Sequence, residues 1–565
     1  MNRVTLVFAL IASMFTLAVQ GQGRFSVVEA SIPQMQAAMA KGQVTSRQLV
    51  EQYLMRIAMY EDRLNATLAV NPKALEEADQ LDRERAQGKL RGPLHGIPVA
   101  LKDNIHTTDM PTTGGALVFA GYIPPYEATL TRNLKASGAI IIAKTGLTEL
   151  ANWVAGNPNA MPGNYNAVGG FAYNPYDPRP DPREEPGDGR PVLQTGGSSS
   201  GVGTAANFWA GNVGSDTGGS VISPSNANML VGIRPTIGRI SRYGVIPITA
   251  DHDTAGPMTR TVADAAIMLG AMEGASPDPN DAATRTCTPP PNRDYTKFLN
   301  AAGLKGKRIG VPRAFYFDRV TLPGETNPRG GINAEQGKAM ADAIAVLKQQ
   351  GAVVVDPAEI PSFVAKTAND SFPLWDFCSG GEHAKGKDQD CSINFKYGMK
   401  RDYNAWLATL GPSAPVKSLK EHIEWNRAHA KAGAIKYGQS RFEISDQIDL
   451  IADKARLDAD DAKDYRLSRD QGIDGVLKAY KLDAFITPGG SGAGIASRAG
   501  YPIVAVPFAM VPNAPQQPFP AGFTARPAPF GVGFVGAQCS EPLLIEIAYA
   551  FEQATKKRVA PSSAP

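Results

Sequence analysis

Two hydrophobic periods alternate along the chain. From Val44 to Ala58 the apolar residues Leu49, Val50, Tyr53, Leu54, Ile57 and Ala58 recur at helical spacing. Thr45, with Gln48 three residues on, has the form of a capping box at its start. Residues 71–87 predict a second helix, capped by Asn71, with Pro72 in its first turn and Gly88 as its stop. Short β-like runs then appear at Ile97 to Leu101 and Ala139 to Ala143, and again at Arg308 to Val311, Ala352 to Val355 and Ala484 to Thr487. Helical patterns separate them. The fold class expected is therefore α/β: a single domain built on one large twisted sheet, mostly parallel or mixed, flanked by helices.

Three stretches depart from this alternation. Residues 173–191 are rich in Pro, Asp and Arg and predict a surface loop, because prolines remove ladder donors. Residues 365–480 are polar with few β signals and predict a helical insertion over the sheet. Both are expected to shape a pocket. Residues 542–555 predict a last helix, and residues 558–565 a frayed tail. At the other end, Arg3 precedes an apolar run from Val4 to Val19, followed by small and polar residues to Gly23. The run is short for a membrane span, which needs about 20 residues. Its layout is that of a secretory signal peptide over residues 1–21, leaving a domain over 24–557 in a secreted or periplasmic protein.

Composition narrows the function. Of 565 residues, 43% are apolar and 20% charged, enough for a large core and against a disordered chain. Lys and Arg total 57 against 54 Asp and Glu, with no basic block, so nucleic acid is not an expected partner. The four cysteines, Cys287, Cys378, Cys391 and Cys539, form no CxxC pair, which disfavours a zinc knuckle. Cys378 and Cys391 could bridge in an oxidising compartment or remain two thiols.

The candidate chemistry lies in two clusters, Gly196 to Gly201 (GGSSSG) and Ser215 to Ser220 (SDTGGS), around an Ala-rich, helix-like run from Val202 to Ala210. A flexible linker would not enclose such a run. Gly218 and Gly219 lack Cβ atoms, so nearby backbone N–H groups can converge on an oxyanion, and Ser220 follows directly. A serine needs a base. Lys102, at the end of an apolar run in LKDN, would lose its charge more easily when desolvated. A salt bridge to Asp103 is the structural alternative. The string Gly197 to Gly201 also fits the GxSxG elbow of an α/β-hydrolase esterase, but that needs a preceding strand, and residues 189–195 are short and polar. His252, between two aspartates, reads as a surface histidine rather than a metal ligand.

These stretches resemble the amidase signature family. GGSSSG, GSDTGGS, Val231 to Thr236 (VGIRPT) and Gly256 to Met258 stand in the family's order. LKDN, Ala143 to Thr145, Glu149 to Asn152 and Pro529 to Gly533 are similar too, over about residues 40–555. The text around SRYGVIPITADHDTAGPM most resembles the peptide-amidase-like branch. The resemblance implies a Ser–Ser–Lys triad for amide hydrolysis. In it Ser220 is the acylated nucleophile, Ser198 the bridging serine on a cis peptide, and Lys102 the base. The backbone N–H groups of Thr217, Gly218, Gly219 and Ser220 are the oxyanion donors. It implies no cofactor and no metal. The expected partner is a small-molecule or peptide amide, with no nucleic acid, no stable membrane span and at most a second copy of the chain. Two features depart from the family pattern. Val221, Ile222 and Ser223 stand where an arginine is common, and the spacing from Ser198 to Ser220 is short, so Ser199 and Ser200 are alternatives for the bridge. Other readings are a glutaminase component of a transfer-RNA amidotransferase and an inactive binding protein on the same scaffold.

Overall fold

Runs of apolar residues without alternation belong to strands covered on both faces. Pro98–Lys102 and Ile140–Thr145 are of this kind, buried along their whole lengths, and the polar, glycine-rich Gly211–Asp216 beside them is buried throughout as well. In the computed structural model, residues 25–197 and 200–565 are described. The expected signal peptide, Ser198 and Ser199 lie outside them.

The strands form one eleven-stranded sheet. From one edge the order is Thr67–Val70, Ile140–Thr145, Pro98–Lys102, Gly211–Asp216, Thr254–Thr259 and Val231–Arg234. It continues through Ile503–Val511, Ala528–Val535, Ala484–Pro488, Arg308–Gly310 and Val353–Val355. Pairing is parallel around Pro98–Lys102 and around Arg308–Gly310, and antiparallel across the middle, so the sheet is mixed. Helices cover it. Ser46–Leu64 begins with the expected capping box, Thr45 and Gln48 satisfying each other's backbone N–H groups. Val262–Met272 is buried on nearly every side. No helix among the described residues is long and apolar enough to cross a membrane.

The structure corrects the Ala-rich run. The helix covers only Ser200–Ala205. Asn207 takes a left-handed conformation (φ 59°), and the chain turns back so that the Trp209 indole donates to Thr204 Oγ1 at 2.7 Å. Gly203 makes room for that ring; a Cβ there would lie 2.1 Å from it. The tail is not frayed either. Arg56 donates to the carbonyls of Ala564 and Pro565 at 2.8 Å, and Arg558 forms an ion pair with Glu29 at 2.7 Å.

Residues 365–480 carry the helices Asn394–Thr409, Leu419–Ala428, Ser440–Asp446, Lys454–Tyr465 and Asp474–Tyr480. They also carry a short parallel pair, Asp376–Phe377 with Cys391–Ser392, stapled by a Cys378–Cys391 disulfide. A second disulfide, Cys287–Cys539, ties two segments 252 residues apart. Cross-linking distant residues restricts the unfolded chain. Cys287→Ser with Cys539→Ser is expected to lower unfolding stability by roughly 2–5 kcal/mol, measured by urea denaturation.

Candidate active site

Lys102 ends a parallel strand, and in such sheets the carboxyl ends of strands open onto the crevice where ligands bind. The register pairs Leu101 with Val213, bringing Lys102 beside Ser215 on the neighbouring strand. Lys102 is buried, and its Nζ donates to Ser215 Oγ at 2.9 Å and to the Ser215 carbonyl at 3.2 Å. Burial lowers its pKa to about 8, against the opposing pull of Asp216 and Asp253. The alternative salt bridge to Asp103 does not form. Asp103 pairs instead with Lys144, at 3.1 Å, and accepts from the Thr113 backbone N–H at 3.0 Å. Lys102 therefore has no ion-pair partner among the described residues.

Ser215 is a site residue that sequence reasoning missed, although it stands in the quoted motif. The Asn104 amide, which can only donate through Nδ2, reaches Ser215 Oγ at 2.8 Å. With that donor fixed, the Ser215 hydroxyl accepts from Lys102 when the amine is charged and can donate to it when neutral. It orients Nζ in both states. Ser215→Ala is expected to lower kcat about tenfold. Losing an acceptor for the ammonium also moves the rise of the pH–rate profile toward acid by about one unit. A pH series of kcat/KM checks both.

The turn carrying Ser220 is held by Asp216. Its carboxylate accepts from the N–H groups of Gly219 and Val221, each at 2.7 Å, and pairs with the buried Arg234 at 3.0 Å. Arg234 is anchored in turn by the His252 and Tyr501 carbonyls. Gly219 adopts φ +123°, a region that favours glycine, and a Cβ there would stand 3.0 Å from Ala493. This changes the expected oxyanion donors. The Gly219 N–H is taken by Asp216, whereas those of Thr217, Gly218 and Ser220 have no hydrogen-bond partner among the described residues. The Thr217 hydroxyl is held by Asp253 at 2.5 Å, and burial pushes that carboxyl up to about 7.

The chain approaches the serine run through Gly196 and Gly197, both at positive φ. Asn228 holds the Thr195 carbonyl at 3.1 Å, and the Thr148 hydroxyl donates to the Gly197 carbonyl. Gly196 lies so close to the segment after Ser220 that a Cβ would meet the Ser223 carbonyl at 2.4 Å. Both glycines line the same cavity as Thr217, Gly218, Gly219 and Ser220. Ser198 and Ser199 lie outside the described residues, as does the side chain of Ser200.

That cavity measures about 590 Å³. Its far wall comes from residues 372–395, with Phe377 stacked on Phe395 at 3.7 Å between ring centroids. Trp153 meets Phe395 edge-on at 5.0 Å. Trp153 and Trp375 also line the cavity, whereas no residue of the 173–191 loop does. His252 is not at the surface. It is buried behind this wall, its Nδ1 3.1 Å from the Ser497 carbonyl, and burial lowers its pKa to about 4. The described residues hold no cluster suited to a metal ion.

Known proteins bear on this site. The amidase family matches residues 48–388. A probable amidase from Arabidopsis thaliana is 33% identical, over 95% of this chain and 92% of its own. The solved peptide amidase from Stenotrophomonas maltophilia is 34% identical with a TM-score of 0.78, over 95% of this chain and 99% of that one. One chain of the glutamyl-tRNA(Gln) amidotransferase of a Synechococcus strain is 28% identical, over 93% of this chain and 97% of its own. With the motifs in order and the mixed sheet shared with these structures, the chain belongs to the amidase family and is a hydrolase of amide bonds.

Proposed function

We propose that the protein hydrolyses carboxylic amides through a serine acyl-enzyme, with Ser220 as nucleophile, Ser198 as bridge and Lys102 as base. The observation that supports this reading is the setting of Lys102: buried, without a carboxylate partner among the described residues, and held by Ser215, the residue before the Asp216 that fixes the turn bearing Ser220. Its neutral amine takes the Ser198 proton while Ser198 takes that of Ser220, and Ser220 Oγ adds to the amide carbonyl. The N–H groups of Thr217, Gly218 and Ser220 stabilise the oxyanion. Collapse breaks the C–N bond, and the relay returns the proton to the leaving ammonia or amine. Water then cleaves the ester by the same relay, giving the acid and the free serine.

The compartment belongs to the same proposal. Two disulfides support an oxidising location, secreted or periplasmic, consistent with the leader-like residues 1–21. The amidotransferase relatives favour a second reading, a glutaminase working with partner chains; disulfides weigh against a reducing cytosol. The test is mass spectrometry after an acylating amide-mimetic probe, read with ammonia release from a small amide panel. The expected result is one adduct, on Ser220. An adduct elsewhere, or ammonia released only when a partner is added, rejects the reading.

A further inference from the structure

The cavity beside Ser220 contains two guanidinium groups of unequal standing. Arg498 is neutralised: its Nη1 lies 2.9 Å from the buried Asp464 carboxylate, and its plane covers Phe377 at 3.8 Å. Arg441 is not. Its Nε donates to the Ser379 carbonyl at 3.0 Å and its Nη1 to the Asn152 carbonyl, while its Cζ lies 5.1 Å from the Trp153 ring centroid. Two neutral carbonyls and an aromatic face fix the plane of the fork but leave its charge uncompensated. Arg441 has no ion pair among the described residues, and its Nη2 has no hydrogen-bond partner there. Asp376, the carboxylate nearest in effect, is turned to solvent, its side chain 90% exposed. Burial accordingly lowers the Arg441 pKa to about 10.

A half-buried cation without a counter-charge costs stability, and such a cost is offset when a ligand brings the opposite charge. Guanidinium matches carboxylate geometry, and the bond is strong because both groups are ionised. Polar residues, the solvent-turned Asp376 among them, also line the cavity, but Trp153, Phe377 and Phe395 give it an apolar face that suits the body of a small organic acid.

We propose that Arg441 is the specificity-determining residue of the cleft, receiving a carboxylate carried by the amide substrate on an apolar or aromatic body. This rests on the amide-hydrolase reading above and names its substrate class. Arg441 binds, and takes no part in the proton relay.

The test uses mono-anilides of dicarboxylic acids of increasing chain length. Each is paired with a neutral analogue in which a methyl ketone replaces the carboxylate. Within each protein variant the ratio of kcat/KM for the pair is measured, so that general damage to the cleft cancels. The wild-type ratio at the best length is expected to exceed about ten and to fall with added salt. In Arg441→Gln it falls to about one, and in Arg441→Lys it is intermediate, because the charge remains without the fork. Titration calorimetry with the parent dicarboxylic acid gives a readout independent of turnover, with binding weakened about tenfold or more in Arg441→Gln. A wild-type ratio near one at every length, or a ratio and an acid affinity unchanged in Arg441→Gln, overturns the proposal. The two readings fail separately. Hydrolysis of neutral amides without preference removes only the role of Arg441, whereas no hydrolysis and no Ser220 adduct removes the amidase mechanism, and acid binding still tests Arg441.

Discussion

Ser220→Ala is expected to abolish turnover, lowering kcat by a factor on the order of 10⁵–10⁶, the scale on which serine hydrolases lose activity without their nucleophile. The substitution removes only Oγ. Alanine keeps the backbone N–H, and the turn is held by Asp216 through Gly219 and Val221 rather than by the Ser220 side chain. Substrate affinity should therefore persist, and calorimetry with an unreactive amide should give a dissociation constant within about threefold of wild type. Residual hydrolysis then reports what the oxyanion donors and binding contribute alone. If Ser220→Ala kept more than a few per cent of wild-type kcat, the nucleophile would lie elsewhere, and Ser223, which lines the same cavity, would be the next residue to replace.

The second large effect belongs to Lys102. With its pKa near 8, kcat/KM in the wild type should rise about tenfold per pH unit below that value and level off above it, since only the neutral amine accepts a proton. Lys102→Met is expected to lower the rate by about 10³–10⁴ at pH 8 and to flatten the profile. Linkage gives an independent sign. A lysine whose folded pKa is depressed binds fewer protons in the folded state than in the unfolded state between about 8 and the ordinary 10.5, so this site favours folding progressively as pH rises through that window. Below about pH 8 the buried charge is a burden on the fold. Lys102→Met should therefore remove part of the dependence of unfolding free energy on pH between 8 and 10, as measured by urea titrations. A variant that keeps the rise in rate near pH 8 would assign it to another group, with Glu149 the first to examine, because burial raises its carboxyl to about 8 as well.

The buried polar network explains why these residues act together. Lys102, Ser215 and Asn104 are joined by hydrogen bonds across two neighbouring strands, and Asp216, next to Ser215 in the chain, pairs separately with Arg234. Removing one partner leaves the others buried and unpaired, so single substitutions here should cost stability as well as rate.

Local pattern was enough for much of this. The helix at Ser46–Leu64 and its capping box, the strands at Pro98–Lys102, Ile140–Thr145 and Ala484–Pro488, and the closing helix Glu541–Thr555 follow from spacing and caps that neighbouring residues set among themselves. The position of Lys102 at a strand end and the glycine-rich turn before Ser220 were legible for the same reason. The short helix Ser200–Ala205 was not, because it ends where Trp209 folds back on Gly203, and helical periodicity does not record which ring needs that space.

By itself, the sequence determined the family, the α/β class and the residue types at the cleft, because those are written in consecutive motifs. Only the tertiary structure decided which charges meet. Lys102 and Ser215 are 113 residues apart, and Arg441 and Asn152 are 289 apart. Asp103, adjacent to Lys102 in sequence, pairs with Lys144 across the strands instead. Consecutive side chains on a strand point to opposite faces, so neighbours in the chain are separated while distant residues share a face. The surroundings of Lys102 are therefore set by the sheet register, and those of Arg441 by the packing of the helix Ser440–Asp446 against the segment Glu149–Asn152, rather than by any stretch of sequence.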